Sequence, residues 1–221
     1  MTGGVDVEPE PRAPSGTALG DLAGRPPGWV FHILLAVAAL PLMWADSVPG
    51  SMLEWELLGW FLWFLFAVTW FVRLVLFVAV RRRLSWWFLL APAMLVVLVS
   101  LLVAHVPLKA RWAGSHDAFE AALARVPVGS GSMSGSLDET VGSYRVLGWR
   151  QFVASTTSAS DTSARYGIAF IEEHPRRSSW DGRDEAGFAF LPDGPGDRFM
   201  WTTPLGDGWY AWREDRVAMG G

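Results

Sequence analysis

The chain contains no cysteine, so no disulfide, thiolate metal site or cysteine nucleophile is open to it. An exported domain would have to be stabilised by its core alone. Lysine is almost missing as well: Lys109 is the only one, and arginine carries the remaining positive charge. The net charge of −4 gives no basic excess of the kind that marks a nucleic-acid-binding face, so no nucleic-acid partner is expected. Four histidines (His32, His105, His116 and His174) show no H-E-x-x-H spacing, and no G-x-S-x-G elbow, P-loop or dinucleotide fingerprint occurs. His116-Asp117 comes nearest to a dyad, but adjacent residues on a helix do not face each other. No enzymatic activity, metal or cofactor is expected.

Apolar residues, by contrast, make up 51% of the chain and crowd between residues 29 and 106. Residues 57–80 carry one charge, Arg73, and residues 86–106 carry none. With a rise of about 1.5 Å per residue, each run is long enough to cross a hydrocarbon layer roughly 30 Å thick. Between them lies Arg81-Arg82-Arg83-Leu84-Ser85. Short basic loops stay on the cytoplasmic side, which makes the two runs a hairpin with its tip inside.

Residues 29–45 form a third run, preceded by Arg25-Pro26-Pro27-Gly28, and are at the short limit for a span. A cleaved signal peptide is disfavoured. The preceding tail carries Asp6, Glu8, Glu10 and Asp21, and Leu42-Met43-Trp44-Ala45 lacks a small-x-small site. Tryptophans bracket the runs (Trp29, Trp44, Trp55, Trp60, Trp86, Trp87, Trp112), as expected where rings seek the headgroup level. Residues 1–28 are then a disordered cytoplasmic tail, rich in Pro, Gly, Ser and acids. Residues 29–107 are a three-helix transmembrane region.

Arg73 is the intramembrane charge. It lies eight residues before Arg81, about 12 Å along a helix, and no acid lies within the other two runs. Snorkelling toward the cytoplasmic headgroups is expected, in preference to a buried pair. His105 is expected to be a neutral histidine at the outer interface.

Residues 108–136 read as a short helix and a Gly/Ser linker. Ser115 is the expected N-cap, Phe119, Ala122, Leu123 and Val126 recur at helical spacing, and Pro127 ends the pattern. Residues 137–221 read as an antiparallel-sheet extracytoplasmic domain with strands at 141–152, 165–173, 186–191, 198–203 and 209–214, paired as a meander. Asp207-Gly208 supplies a tight hairpin turn. Two segments nearly repeat, Gly167-Ile168-Ala169-Phe170-Ile171 and Gly187-Phe188-Ala189-Phe190-Leu191. Their large residues should build a core with Tyr144, Val146 and some of Trp201, Trp209 and Trp212. Their small residues should admit the 119–126 helix or another strand.

The expected fold is therefore an α-helical membrane anchor of three transmembrane helices followed by a small α+β domain, one helix on an antiparallel sheet. The loop at 174–184 holds Arg176, Arg177, Trp180 and Arg183, which are either a solvated hairpin tip or a contact for a ligand or partner.

The segments Gly142-Ser143-Tyr144-Arg145-Val146, GFAFLPDGP (187–195) and GDGWYAW (206–212), behind three apolar runs, resemble an uncharacterised family of small actinobacterial integral membrane proteins. The resemblance implies a multi-pass cell-membrane protein with an extracytoplasmic domain, and no activity. Two functions fit. The spans could anchor an interaction domain whose partners are the lipid bilayer and an envelope protein or another membrane subunit. Alternatively, the domain is a sensor or accessory module that binds a small anionic ligand at the 174–184 loop.

Overall fold

The computed structural model describes residues 26–50, 52–82, 85–127, 133–155, 165–173, 185–192, 194 and 201–214. Among the described residues six helices precede six strands: α1 (Trp29–Val37), α2 (Leu40–Ala45), α3 (Leu53–Arg81), α4 (Trp87–Val103), α5 (Val106–Ala113), α6 (His116–Leu123), β1 (Ser134–Val141), β2 (Tyr144–Ser155), β3 (Arg165–Glu172), β4 (Glu185–Phe190), β5 (Trp201–Gly206) and β6 (Trp209–Glu214).

Three prolines decide how the apolar runs are cut. Proline has no N–H to give to the carbonyl four residues earlier, and its ring collides with that carbonyl. Pro41 withdraws the donor for Val37, and α1 ends at Val37. Pro107 does the same for Val103, where α4 ends, and α5 leaves at a 54° bend. Pro92 frees the Phe88 carbonyl, yet α4 continues through it, because the Trp70 indole N–H of α3 donates to that oxygen at 3.1 Å. The expectation of three transmembrane helices is thereby narrowed. Among the described residues one helix, α3, is long and apolar enough to cross a membrane, and the bent pair α4–α5 would make a second.

The three apolar segments pack together around Leu35, Ala38, Leu42, Trp63, Ala91 and Leu98. Gly59 makes this possible, since a Cβ there would fall 2.5 Å from Leu42 Cγ. At one end of the bundle the His32 and Trp87 rings lie 5.8 Å apart, and Phe88 meets Trp70 and Phe77 of α3. At the other end Asp46 reaches His105.

The strands form one antiparallel sheet in the order β1-β2-β3-β4-β6-β5. This departs from a meander at its last step, where β6 inserts between β4 and β5. In that register large residues oppose small ones: Gly187 faces Trp212 and Phe188 faces Ala211. β1 was also not expected, because its Ser-Gly start continues the linker composition; Gly142 and Ser143 form the turn into β2. Both sheet edges resist further pairing. β1 has a register shift between Ser136 and Glu139, with Asp138 at φ 41°, and β5 contains Pro204.

One face of the sheet carries the main core: Tyr144, Val146, Trp149, Ile168, Phe170, Phe188 and Trp209 are all buried, and Phe190 packs at its margin. α5 and α6 cover this face. Trp112 stacks on Phe188 at 4.8 Å, and Phe119 lies 4.9 Å from Phe188 and 5.5 Å from Phe170. The helices thus pack on the large residues of the repeat and not on the small ones, as aromatic area buried against aromatic area dominates the choice. On the opposite face Ala169, Ala189, Leu191 and Trp212 form a second buried cluster.

Candidate functional site

The polar groups that converge do so where the sheet domain meets the loop after α2. Trp112 faces the core, so Arg111, one residue earlier, points away from it toward the β1–β2 turn. That turn needs Gly142, which has φ 61° and sits so close to α6 that a Cβ would lie 2.5 Å from Ser115 Cβ. The approach brings Ser143 onto Ser115. The Ser143 N–H donates to Ser115 Oγ at 3.1 Å, the two hydroxyl oxygens lie 2.9 Å apart, and Ser115 Oγ donates to the Arg111 carbonyl at 3.2 Å. Ser115 was expected to cap α6. It occupies the N-cap position but makes no capping bond, because its hydroxyl is committed to this cluster.

Arg111 ties three elements together. Its Nε donates to Ser143 Oγ at 3.0 Å, one terminal nitrogen donates to the Ser143 carbonyl, and the other donates to Ser47 Oγ at 3.3 Å. The guanidinium carbon lies 4.3 Å from the Tyr144 ring and 5.2 Å from the Trp44 ring, within cation–π range of both. Tyr144 completes the tie by donating its hydroxyl to the Ser47 carbonyl at 3.2 Å.

Two carboxylates border the tie. Glu172, on the core face of β3, is pushed from 4.5 up to about 8 by burial, against the opposing pull of the Arg111 charge. Burial also raises the Tyr144 phenol, and Arg111 opposes it there too. At the end of the helical bundle Asp46 Oδ1 lies 3.3 Å from His105 Nδ1, and His105 sits at the α4–α5 bend with φ 50°. Burial raises the Asp46 carboxyl, the bond and charge of His105 lower it, and Glu56 raises it. His105 is therefore not an isolated interfacial histidine; it faces an acid 59 residues away in the chain.

Chemically this arrangement fastens. The Arg111 nitrogens are spent on protein acceptors, and each serine hydroxyl has a donor or acceptor within the cluster. No group of three His, Cys, Asp or Glu that could hold a metal occurs among the described residues. His116 Nδ1 and Asp117 Oδ1 are 3.5 Å apart, too long for a strong bond, and Asp117 is exposed.

Arg176, Arg177, Trp180 and Arg183 lie outside the described residues. Arg73 is half-buried and has no hydrogen-bond or ion-pair partner among the described residues. Ser47, Arg111, Ser143 and Tyr144 were not anticipated as one cluster. Their separations of up to 97 residues leave no local signal beyond the Gly142-Ser143 pair itself. Compared with known protein families, curated proteins and solved structures, the chain matches none.

Proposed function

We propose that this chain is an integral membrane protein whose three apolar segments anchor a small extracytoplasmic interaction domain, as in the actinobacterial family it resembles. The observation that carries this reading is α3. Its 29 residues include a window of mean hydropathy 2.3 of which 11% is buried, whereas the core helix of a soluble domain is mostly buried. Leu57, Phe61, Phe64, Phe71 and Val80 stand exposed along it, a surface that water would not tolerate at this extent.

The packing supports three passes. The Asp46–His105 contact puts the outer ends of the first and third segments together, and His32–Trp87 does so for their inner ends. Segments 29–45 and 87–103 each hold 17 residues, about 25 Å of helix, which a slightly thinned bilayer accommodates. The same length on α3 runs from Leu57 to Arg73. On this reading the stacked Trp86–Trp87 pair lies at the cytoplasmic interface, and its neighbour Phe88 meets α3 at Trp70 and Phe77, on either side of Arg73. Arg73 then reaches toward the cytoplasmic headgroups along the helix, and the apolar residues 74–80 continue to Arg81. With Arg81–Arg83 inside, the N-terminal tail is cytoplasmic and the sheet domain is outside.

A reporter fused after Gly221 tests the topology: activity is expected of a form that works outside the cytoplasm, and activity of a cytoplasmic form overturns it. Crosslinking in cells from residues 174–184 tests the interaction role. Reproducible capture of one envelope or membrane protein is expected; a capture pattern matching that of an unrelated exported domain overturns it.

A further inference from the structure

An apolar groove of about 140 Å³ runs between α1, α3 and α4, lined by Leu35, Trp63, Phe66, Trp70, Ala91 and Leu95 among others. Small residues open it: Ala67 on α3 and Ala91 on α4 leave a channel that the aromatic rings wall. Resting on the membrane reading above, its place in the bilayer follows from the helix packing. Leu95 is two turns into α4 from the cytoplasmic tryptophans, so the groove occupies the inner half of the hydrocarbon layer. On α3 the lining positions 63, 66, 67 and 70 continue, at the same helical spacing, to Arg73.

From Trp63 to Arg73 the helix rises about 15 Å, the thickness of one hydrocarbon leaflet. A guanidinium without a partner among the described residues thus stands about one helical turn beyond the groove, whose lining on α3 runs for about 10 Å from Trp63 to Trp70. A cation there is costly unless an anion meets it, and neither the first nor the third segment contains an acid.

We propose that this groove and Arg73 form a site for one anionic phospholipid of the cytoplasmic leaflet, its acyl chain along Trp63–Trp70 and its phosphate on the Arg73 guanidinium. The apolar wall supplies contact with the chain, and the arginine supplies the choice of headgroup: guanidinium and phosphate match in geometry, and a headgroup of net negative charge, unlike a zwitterion, has no cation of its own to compete with the arginine. Arg73 is then neither idle nor part of an ion path; its counter-ion is a lipid.

The test uses the full chain in mild detergent: phosphatidylglycerol and phosphatidylcholine with identical acyl chains are added together, and the lipid retained per protein is read by native mass spectrometry. Retention of one phosphatidylglycerol is expected, favoured over phosphatidylcholine roughly tenfold, the scale of one charged hydrogen bond. Arg73→Leu should abolish the preference, and Arg73→Lys should keep part of it. Ala91→Phe, which fills the groove, should lower retention of both lipids. Equal retention by the wild type, or an undiminished preference in Arg73→Leu, overturns the site. Carbonate washing of the starting membranes separates the two ideas: a chain released by it refutes the membrane reading itself, whereas a retained chain without lipid preference refutes the site alone.

Discussion

The helical bundle and the sheet domain are both rich in aromatic residues and use them in opposite ways. In the sheet domain Phe119, Phe170, Phe188 and Trp209 are fully buried against one another. In the bundle Phe61, Phe64 and Phe71 are each more than half exposed on α3. The first pattern is driven by removing apolar surface from water. The second fits the membrane reading, in which the surroundings are themselves apolar and cohesion comes from close packing and from polar bonds that have no water to compete with. Gly59 against Leu42, and Trp70 against the Phe88 carbonyl, are those two kinds of contact.

The same substitution made in each region breaks the comparison most directly. Phe188→Ala should cost the sheet domain about 3–5 kcal/mol, out of a total of roughly 5–15. Phe64→Ala, on the exposed face of α3, should leave its melting temperature within a degree or two, on the scale of surface changes of about 0.5 kcal/mol. Thermal unfolding of the detergent-solubilised chain, followed by near-ultraviolet circular dichroism, checks both. Equal losses would mean that the α3 face is buried too.

An effect of similar size distinguishes the regions by pH. The Glu172 carboxyl binds its proton more tightly in the fold, up to about 8, than its ordinary 4.5. Below 4.5 the group is protonated in both states and adds nothing. As pH rises toward 8 the unfolded chain ionises first, so the fold loses stability across that window and no further above it. Glu172→Gln removes this dependence and should stabilise the domain near pH 9 by a few kcal/mol, at roughly 1.4 per unit of displacement, while changing little near pH 4. Chemical denaturation at the two pH values measures it; equal effects at both would place the carboxylate in water.

A smaller loss than that of Phe188→Ala belongs to the bundle. Trp70→Phe keeps the ring but leaves the Phe88 carbonyl without its donor, which should cost about 1 kcal/mol and loosen α4 at Pro92. Faster hydrogen exchange at residues 88–95 is the readout. Exchange unchanged there would show that another group, or none, bonds that oxygen.

Legibility from sequence divides along the same line. Residues 168, 170, 188 and 190 alternate as a half-buried strand must, and Asp207-Gly208 takes the positive φ its hairpin requires, so strands and core face could be read locally. The cuts at Val37 and Val103 were also readable, from Pro41 and Pro107, but the length of the apolar runs outweighed them. What no window of sequence contains is the pairing of β4 with β6, which is decided by Gly187 meeting Trp212. Nor does it contain the Arg111 cluster, which depends on Ser47 and Ser143 arriving from opposite sides of the chain.

That cluster has a mechanical consequence. The peptide chain leaves the helical bundle for the sheet domain once, through His105. Arg111 and Tyr144 add a second attachment at Ser47, in the loop that joins α2 to α3. A body held at one point swivels; held at two, it transmits torque. Any pull on the sheet is therefore shared between α4 and the α2–α3 loop, and turning the domain must tilt helices or break the arginine's bonds.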